Sequence, residues 1–203
     1  MQSDDFSAAA GAFASLVATI DDDQWSGPGL GEWTVRDLVG HTSRSLTTVE
    51  TYLGVAPEPG ASLIDDPVEY LMALGSGAVD PASVAQRGRD AGAALGADPA
   101  AAVGVLADRV IALVAATPGD AGLTTLFGAM TLRAYLPTRI FELTVHTLDL
   151  AAALGVDPPA GLDGPLASTL ALVSAVVCSS GTGPVVLRAL TGRGPLPLGF
   201  SVV

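Results

Sequence analysis

The chain has 203 residues and 49% of them are hydrophobic, which is enough to bury the core of about one ordinary domain and excludes global disorder. Nine basic residues against 21 acidic ones give a net charge of −12, so nucleic acids and anionic membrane surfaces are unsuitable partners. All nine basic residues are arginine, which excludes reactions that need a Schiff-base lysine or a Walker A lysine.

The first half of the chain carries several helix signals. Apolar residues at helical spacing predict a first helix over residues 6–20. Thr34 is suited to be an N-cap, and Asp37 forms an acidic variant of the capping box, so a second helix is predicted up to Gly54. Three further helix starts are predicted where aspartate can cap a helix and proline fits its first position, at Asp66-Pro67, Asp80-Pro81 and Asp98-Pro99.

The second half of the chain alternates between loops and longer regular segments. We predict, in chain order, a loop at 117–122, a short strand at 123–127, a long helix at Leu132–Leu154, a connector at 155–164 and an apolar helix from Pro165. Pro137 should bend the first turns of the long helix, because proline removes a backbone donor. The Gly- and Pro-rich tail from Gly181 is expected to end in an extended segment.

These elements predict an all-α fold, an antiparallel four-helix bundle with short extra helices and a short C-terminal extension. The bundle is expected to span residues 1–164, followed by a helix and tail over residues 165–203, although one domain over residues 1–203 also fits. The acidic N-terminus lacks the basic region of a secretory signal, and the apolar segment 165–178 is too short for a membrane span. We therefore expect a cytoplasmic protein, either a monomer or a homodimer.

One helix carries a narrow line of ionisable residues. Arg139, Glu142, His146 and Asp149 follow spacings of three, four and three, which place them on one side of the predicted helix. Glu142 and His146 can both reach one ion, and a catalytic metal needs a third protein ligand, for which the remaining histidine is His41. The same spacing also fits an ion pair between Arg139 and Glu142, with His146 as a core histidine beside Asp149.

Two segments resemble the signatures of a known family. Residues 25–42 read WSGPGLGEWTVRDLVGHT, and this segment resembles the metal-binding signature of the mycothiol-dependent maleylpyruvate isomerase family, a branch of the DinB-like four-helix bundles. The segment RIFELTVHTLDL at 139–150 resembles the family's second signature. In that family a divalent metal, usually zinc, is held by the histidine of the first motif and by the glutamate and histidine of the second.

The resemblance implies a set of site residues and a function. It implies His41, Glu142 and His146 as metal ligands. Apart from the resemblance, the position of Asp149 one turn beyond His146 suits it to orient a ligand or to be a further ligand, and Arg139 is suited to orient a carboxylate of the substrate or of the thiol cofactor. The resemblance further implies a thiol-dependent isomerase or S-transferase that uses mycothiol and acts on a small electrophile. The alternatives are a metal-dependent hydrolase and a non-enzymatic protein that binds a metal or a small ligand through the same cleft.

Family members with the isomerase activity carry a separate C-terminal domain, whereas about forty residues follow Gly164 here, so maleylpyruvate is not assigned as the substrate.

The remaining chemically notable residues have simpler interpretations. Cys178 is the single cysteine, so neither an internal disulfide nor a thiolate metal cluster can form, and its apolar helix predicts that it is buried. Trp25, Trp33 and Tyr135 are interpreted as pocket-lining residues or as packing anchors.

Overall fold

The computed structural model describes residues 2–76 and 80–202, and most of these residues are helical. The helices are α1 (Gln2–Val17), α2 (Val35–Leu53), α3 (Pro67–Gly75), α4 (Pro81–Ala94), α5 (Pro99–Ala116), α6 (Leu132–Leu154), α7 (Asp163–Ser179) and α8 (Gly183–Leu190). A small sheet contains β1 (Leu63–Ile64), β2 (Gly122–Thr125) and β3 (Gly128–Thr131). The prediction of an all-α fold is confirmed.

Four long helices, α1, α2, α5 and α6, build the central bundle. Helix α1 packs against α5 and α6, and α2 packs against the same two helices. The apolar faces that these helices share bury large side chains, which include Phe6, Phe13, Leu38, Leu46 and Leu143. Each such side chain stabilises the fold by roughly 1.5–3 kcal/mol relative to an exposed position, so the bundle is held mainly by this core.

The predicted helix starts are present and have the predicted caps. At α2, the Asp37 backbone amide donates to Thr34 Oγ1 over 3.2 Å, and the Thr34 amide donates to Asp37 Oδ2 over 3.0 Å. Asp66, Asp80 and Asp98 accept backbone hydrogen bonds at the starts of α3, α4 and α5. These bonds satisfy amides that have no partner inside the helix, which explains why local sequence located the helix starts well.

Helix α4 lies unusually close to α2 because glycines face each other across the interface. A β-carbon on Gly40 would overlap the backbone of Gly92, so neither position has room for a side chain. One turn earlier on α4, a β-carbon on Gly88 would lie 2.9 Å from the ring of Trp33. The indole of Trp33 also donates to the Ala85 carbonyl over 3.1 Å. These contacts determine where the start of α2, which carries His41, lies relative to α4.

The sheet extends what the sequence predicted for this part of the chain. One strand was expected at 123–127, whereas β2 ends at Thr125 and forms a hairpin with β3. The side chain of Thr125 stabilises the two-residue turn, since its hydroxyl donates to the Gly128 carbonyl and accepts from the Phe127 amide. Strand β1 pairs in parallel with β3, giving the order β1-β3-β2. The hairpin leads directly into α6.

The C-terminal part adds one helix and requires one correction. The tail from Gly181 was predicted only to end in an extended segment, and the structure adds a helix that the sequence analysis did not predict, α8 over Gly183–Leu190, with Pro184 at its start. Cys178 was expected in the core, but it is exposed on α7. Helix α7 contacts α1, α3 and α6, and it contributes Leu172 and Val176 to the same core as the bundle. The proposed boundary at Gly164 stays a prediction.

One helix in the described part of the chain, α5, is long and apolar enough to cross a membrane by length and composition alone. The core helix of a globular bundle has the same properties. In this structure α5 packs against α1 and α2, and it buries Val103, Leu106 and Val110.

Candidate metal centre

Two helices of the bundle bring both histidines and one glutamate together. His41 comes from α2, and Glu142 and His146 come from successive turns of α6. One ligand atom from each of these residues lies within 4.8 Å of the other two. The Nε2 atom of His146 is 3.3 Å from Glu142 Oε2. Metal–ligand bonds of 2.0–2.2 Å in a tetrahedral site place ligand atoms about 3.4 Å apart, so the spacing of this pair fits two ligands of one divalent ion.

His146 is oriented by a carboxylate on its far side. Its Nδ1 atom lies 3.0 Å from Asp149 Oδ2, one turn further along α6. A proton on Nδ1 would make this hydrogen bond and leave the Nε2 lone pair directed toward Glu142, which is the tautomer that binds a metal. Burial alone would lower the pKa of His146, but the hydrogen bonds with Asp149 and Glu142 outweigh burial and raise this pKa to about 9.

His41 has the opposite electrostatic character. Its ring lies between Trp33 and His146, with centroid distances of 4.5 Å and 4.9 Å. Burial, followed by the charge of His146, lowers the pKa of His41 to about 4, so the ring is neutral at pH 7. The Nδ1 atom of His41 is buried and has no hydrogen-bond partner within residues 2–76 and 80–202. A neutral imidazole can bind a metal ion without first losing a proton.

Glu142 remains ionised although it is largely shielded from solvent. Burial raises the pKa of a carboxyl, but the hydrogen bond with His146 and the positive charge of Arg139 lower the pKa of Glu142 to about 2. The donor set is thus two imidazoles and one carboxylate, which is a common set for catalytic zinc. The orphaned nitrogen of His41 and the spacing of the other two ligand atoms show that these residues fit a divalent ion.

A large cavity adjoins two of the three residues. It has a volume of about 830 Å³, and His41 and Glu142 are part of its wall. Trp33 and Tyr135 also line it, in agreement with one of their two sequence interpretations, whereas Trp25 packs against the core. Sequence reasoning missed several wall residues because they lie outside both signatures, namely Arg44, Thr48, Tyr52, Tyr70 and Arg87. A ligand in this cavity would lie beside the candidate metal centre.

The environment of Arg139 differs from the ion pair with Glu142 that is one interpretation of the sequence. No ion pair joins it to Glu142 or Asp149 in the part of the chain that the structure describes. Its guanidinium instead lies over the rings of Tyr135 and Tyr70, 4.9 Å and 5.7 Å from their centroids. Its Nε atom donates to Thr138 Oγ1 over 3.1 Å. The residue is therefore held by aromatic contacts and belongs to the cavity wall.

The geometry defines a class of protein, a helical bundle whose α2 and α6 present a candidate His–Glu–His metal centre to an adjacent cavity. The chain belongs to the mycothiol maleylpyruvate isomerase N-terminal domain family, whose model matches residues 6–151. The matched region contains both segments whose resemblance to this family was noted from the sequence. Comparisons with curated proteins and with solved structures gave no match.

Proposed function

We propose that this protein is a zinc-dependent enzyme that uses a low-molecular-weight thiol, mycothiol, to modify a small electrophile. In this proposal His41, Glu142 and His146 are the metal ligands, and Asp149 orients His146. The observation that carries the proposal is the convergence of the three ligand atoms to within 4.8 Å of one another at the wall of a large cavity. Membership of a family named for a mycothiol-dependent isomerase supports the choice of thiol.

Each residue of the site would have a separate role in the proposed chemistry. His41, Glu142 and His146 would hold a divalent ion, which would supply a Lewis acid able to lower the pKa of a thiol toward neutral pH. Asp149 holds the imidazole of His146 in the metal-binding tautomer. The ring of Trp33 packs against His41 and limits its rotation. In this proposal the thiol and the electrophile would share the cavity of about 830 Å³.

The proposed reaction is addition of the thiol to an activated double bond. The sulfur forms a bond to one carbon, and the thiol proton is delivered to the neighbouring carbon. In an isomerase the former double bond, now a carbon–carbon single bond, rotates, and the adduct then loses the thiol again to give the double bond in its other geometry. In a transferase the carbon–sulfur bond is retained. Reduced thiols of this kind are maintained in the cytoplasm, which is where we propose that the protein acts.

The metal assignment is tested by elemental analysis of the purified full chain and of single variants. We expect about one zinc ion per chain, and loss of that ion in His41→Ala and in Glu142→Gln. Glu69→Gln removes an exposed carboxylate on α3 and serves as the matched control, which should retain the metal. Zinc content that is unchanged in His41→Ala would overturn the ligand assignment.

The thiol assignment is tested by thermal unfolding with zinc, with mycothiol and with both. Mycothiol should raise the melting temperature of the zinc-loaded protein and have a much smaller effect on the metal-free protein, because a ligand stabilises the state that binds it. The S-methyl derivative of mycothiol, which has no thiol proton to lose, should give little stabilisation. Equal shifts for mycothiol and its S-methyl derivative would contradict thiol-dependent chemistry and leave the hydrolase as the alternative.

A further inference from the structure

The turn between β2 and β3 has an unusual composition. Its two central residues are Leu126 and Phe127, whereas two-residue hairpin turns are usually built from glycine, asparagine or aspartate. Packing explains Phe127, whose ring meets the ring of Tyr70 edge-on with the centroids 5.2 Å apart. Leu126, in contrast, is 66% exposed and lines the large cavity. The turn therefore places a large apolar side chain at the opening of the cavity, where the fold itself gives it little burial.

A second exposed leucine lies at another turn beside the same cavity. Leu30 stands between Gly29 and Gly31 in the loop before α2, and it is 39% exposed. The Trp33 amide donates to the Leu30 carbonyl over 2.9 Å, and the Gly29 amide donates to the Trp33 carbonyl over 2.8 Å. These backbone bonds hold the turn next to Trp33, whose ring packs on His41. Leu30 therefore lies on the cavity wall close to a proposed metal ligand.

The cavity has two walls of different chemistry. One face of α2 supplies a polar wall, with residues at helical spacing, namely His41, Arg44, Ser45 and Thr48. Separate segments outside α2 supply the aliphatic side chains that we call the apolar wall, namely Leu30, Leu74, Val84 and Leu126. Apolar surface that stays open to water beside a cavity is typical of ligand-binding sites. Because the apolar wall shares its cavity with two proposed metal ligands, the occupant that fits it is the apolar part of a molecule that reacts at the metal centre.

We infer that the apolar wall binds an alkyl or aryl group of the electrophile, so that the substrate carries a hydrophobic substituent in addition to its activated double bond. Ligand pockets commonly combine apolar surface, which supplies affinity, with a few polar groups that fix orientation. In this arrangement the apolar wall selects electrophiles by the size of their apolar group. The inference rests on the proposed function for the reaction at the metal centre, and it adds to that function a substrate class, amphiphilic electrophiles.

The test uses straight-chain hydroxamates, whose head group binds zinc while the alkyl chain extends away from it. Calorimetric titration of the zinc-loaded full chain compares acetohydroxamate with hexanohydroxamate, which has a longer alkyl chain. Each methylene that becomes buried on the apolar wall should tighten binding about fourfold. Hexanohydroxamate should therefore bind at least about tenfold more tightly than acetohydroxamate. Equal affinities of the two compounds would overturn the inference.

Variants locate the alkyl group on the apolar wall. Leu126→Ser and Leu30→Ser should each reduce the affinity ratio of the two hydroxamates at least about threefold without changing the zinc content. Leu126→Met keeps an apolar side chain and should retain the ratio. Leu187→Ser is the matched control, because Leu187 on α8 is 63% exposed, close to the value for Leu126, and is not among the residues that line the cavity.

The outcomes separate this inference from the proposed function. If Leu126→Ser and Leu30→Ser both keep the full affinity ratio, the alkyl group binds elsewhere and the inference is wrong, while the metal assignment stands. If the unmodified chain binds no zinc, the proposed function fails, and the neutral dye N-phenyl-naphthylamine, whose emission increases at apolar sites, tests the apolar wall in the metal-free chain. Weaker dye binding in Leu126→Ser than in Leu187→Ser would support the inference, and equal binding would overturn it. Circular dichroism checks the fold of each variant.

Discussion

Gly40 of α2 and Gly92 of α4 pack with their backbones in direct contact, so that a β-carbon on Gly40 would overlap the backbone of Gly92. This contact lies immediately before His41 in the chain, and it joins α2, which carries this proposed ligand, to the helix that carries Ala85 and Arg87 of the cavity wall. The interface therefore links the packing of α4 to the position of a proposed ligand.

Replacing Gly40 by alanine should destabilise the protein by about 1–3 kcal/mol, because the added methyl forces α2 and α4 apart. Zinc affinity should fall as well, since His41 is the next residue. Urea unfolding and zinc titration measure the two effects. Gly104→Ala is the matched control, because a β-carbon there meets nothing within 4 Å, and it should stabilise α5 by about 0.5–1 kcal/mol. A Gly40→Ala protein as stable as the unmodified chain would contradict the packing.

The two histidines should titrate far from each other in the metal-free protein. Burial lowers the pKa of His41 to about 4, and the carboxylates of Asp149 and Glu142 raise that of His146 to about 9, against burial. Because the chain has two histidines, the imidazole signals in a nuclear magnetic resonance titration can be assigned with His41→Ala. Two transitions near the ordinary value of 6.5 would show that the carboxylates do not hold His146 as described.

The raised pKa of His146 also predicts how the stability of the metal-free protein depends on pH. Protonated His146 stabilises the folded state fully below the unfolded pKa of about 6.5, and this contribution is lost as the pH rises through about 9. Urea unfolding between pH 6.5 and 9.5 should therefore show a decrease in unfolding free energy that Asp149→Asn reduces. Zinc competes with the same proton, so zinc affinity should increase over this pH range.

Asp149→Asn should weaken zinc binding by about 10- to 100-fold while leaving the fold intact. The asparagine keeps the shape of the side chain but loses the negative charge that orients His146. Competition with a chromophoric chelator gives the affinity. Asp108→Asn changes an exposed aspartate on α5 and is the control for general charge effects. Equal zinc affinity in both variants would remove the orienting role of Asp149.

Cys178→Ser should change the unfolding free energy by less than about 0.5 kcal/mol and leave zinc and mycothiol binding unaltered. The thiol is exposed on α7 and is not part of the cavity wall. Chemical unfolding and the mycothiol melting assay measure both quantities. A loss of mycothiol binding in this variant would place the thiol chemistry at Cys178 instead of at the proposed metal centre.

Local signals explain why most helices were predicted correctly. The cap formed by Thr34 and Asp37 and the three Asp-Pro starts satisfy helix amides from neighbouring residues, so their effect is visible in a short stretch of sequence. Strand β1 has two residues, and its pairing with β3 joins segments far apart in the chain, so no local pattern could indicate it. Cys178 was misplaced because an apolar helix at the edge of a bundle still has one exposed face.

The amino-acid sequence alone determined which side chains are available for a metal centre, because the chain has two histidines and one of them shares a helix face with Glu142. Tertiary structure decided that His41 lies beside this pair, because about a hundred residues separate it from Glu142 and only the packing of α2 on α6 closes that distance. The state of Arg139 was likewise decided by packing. Its guanidinium packs on the rings of Tyr135 and Tyr70, and Tyr70 lies on a separate helix, so the sequence around Arg139 could not indicate this contact.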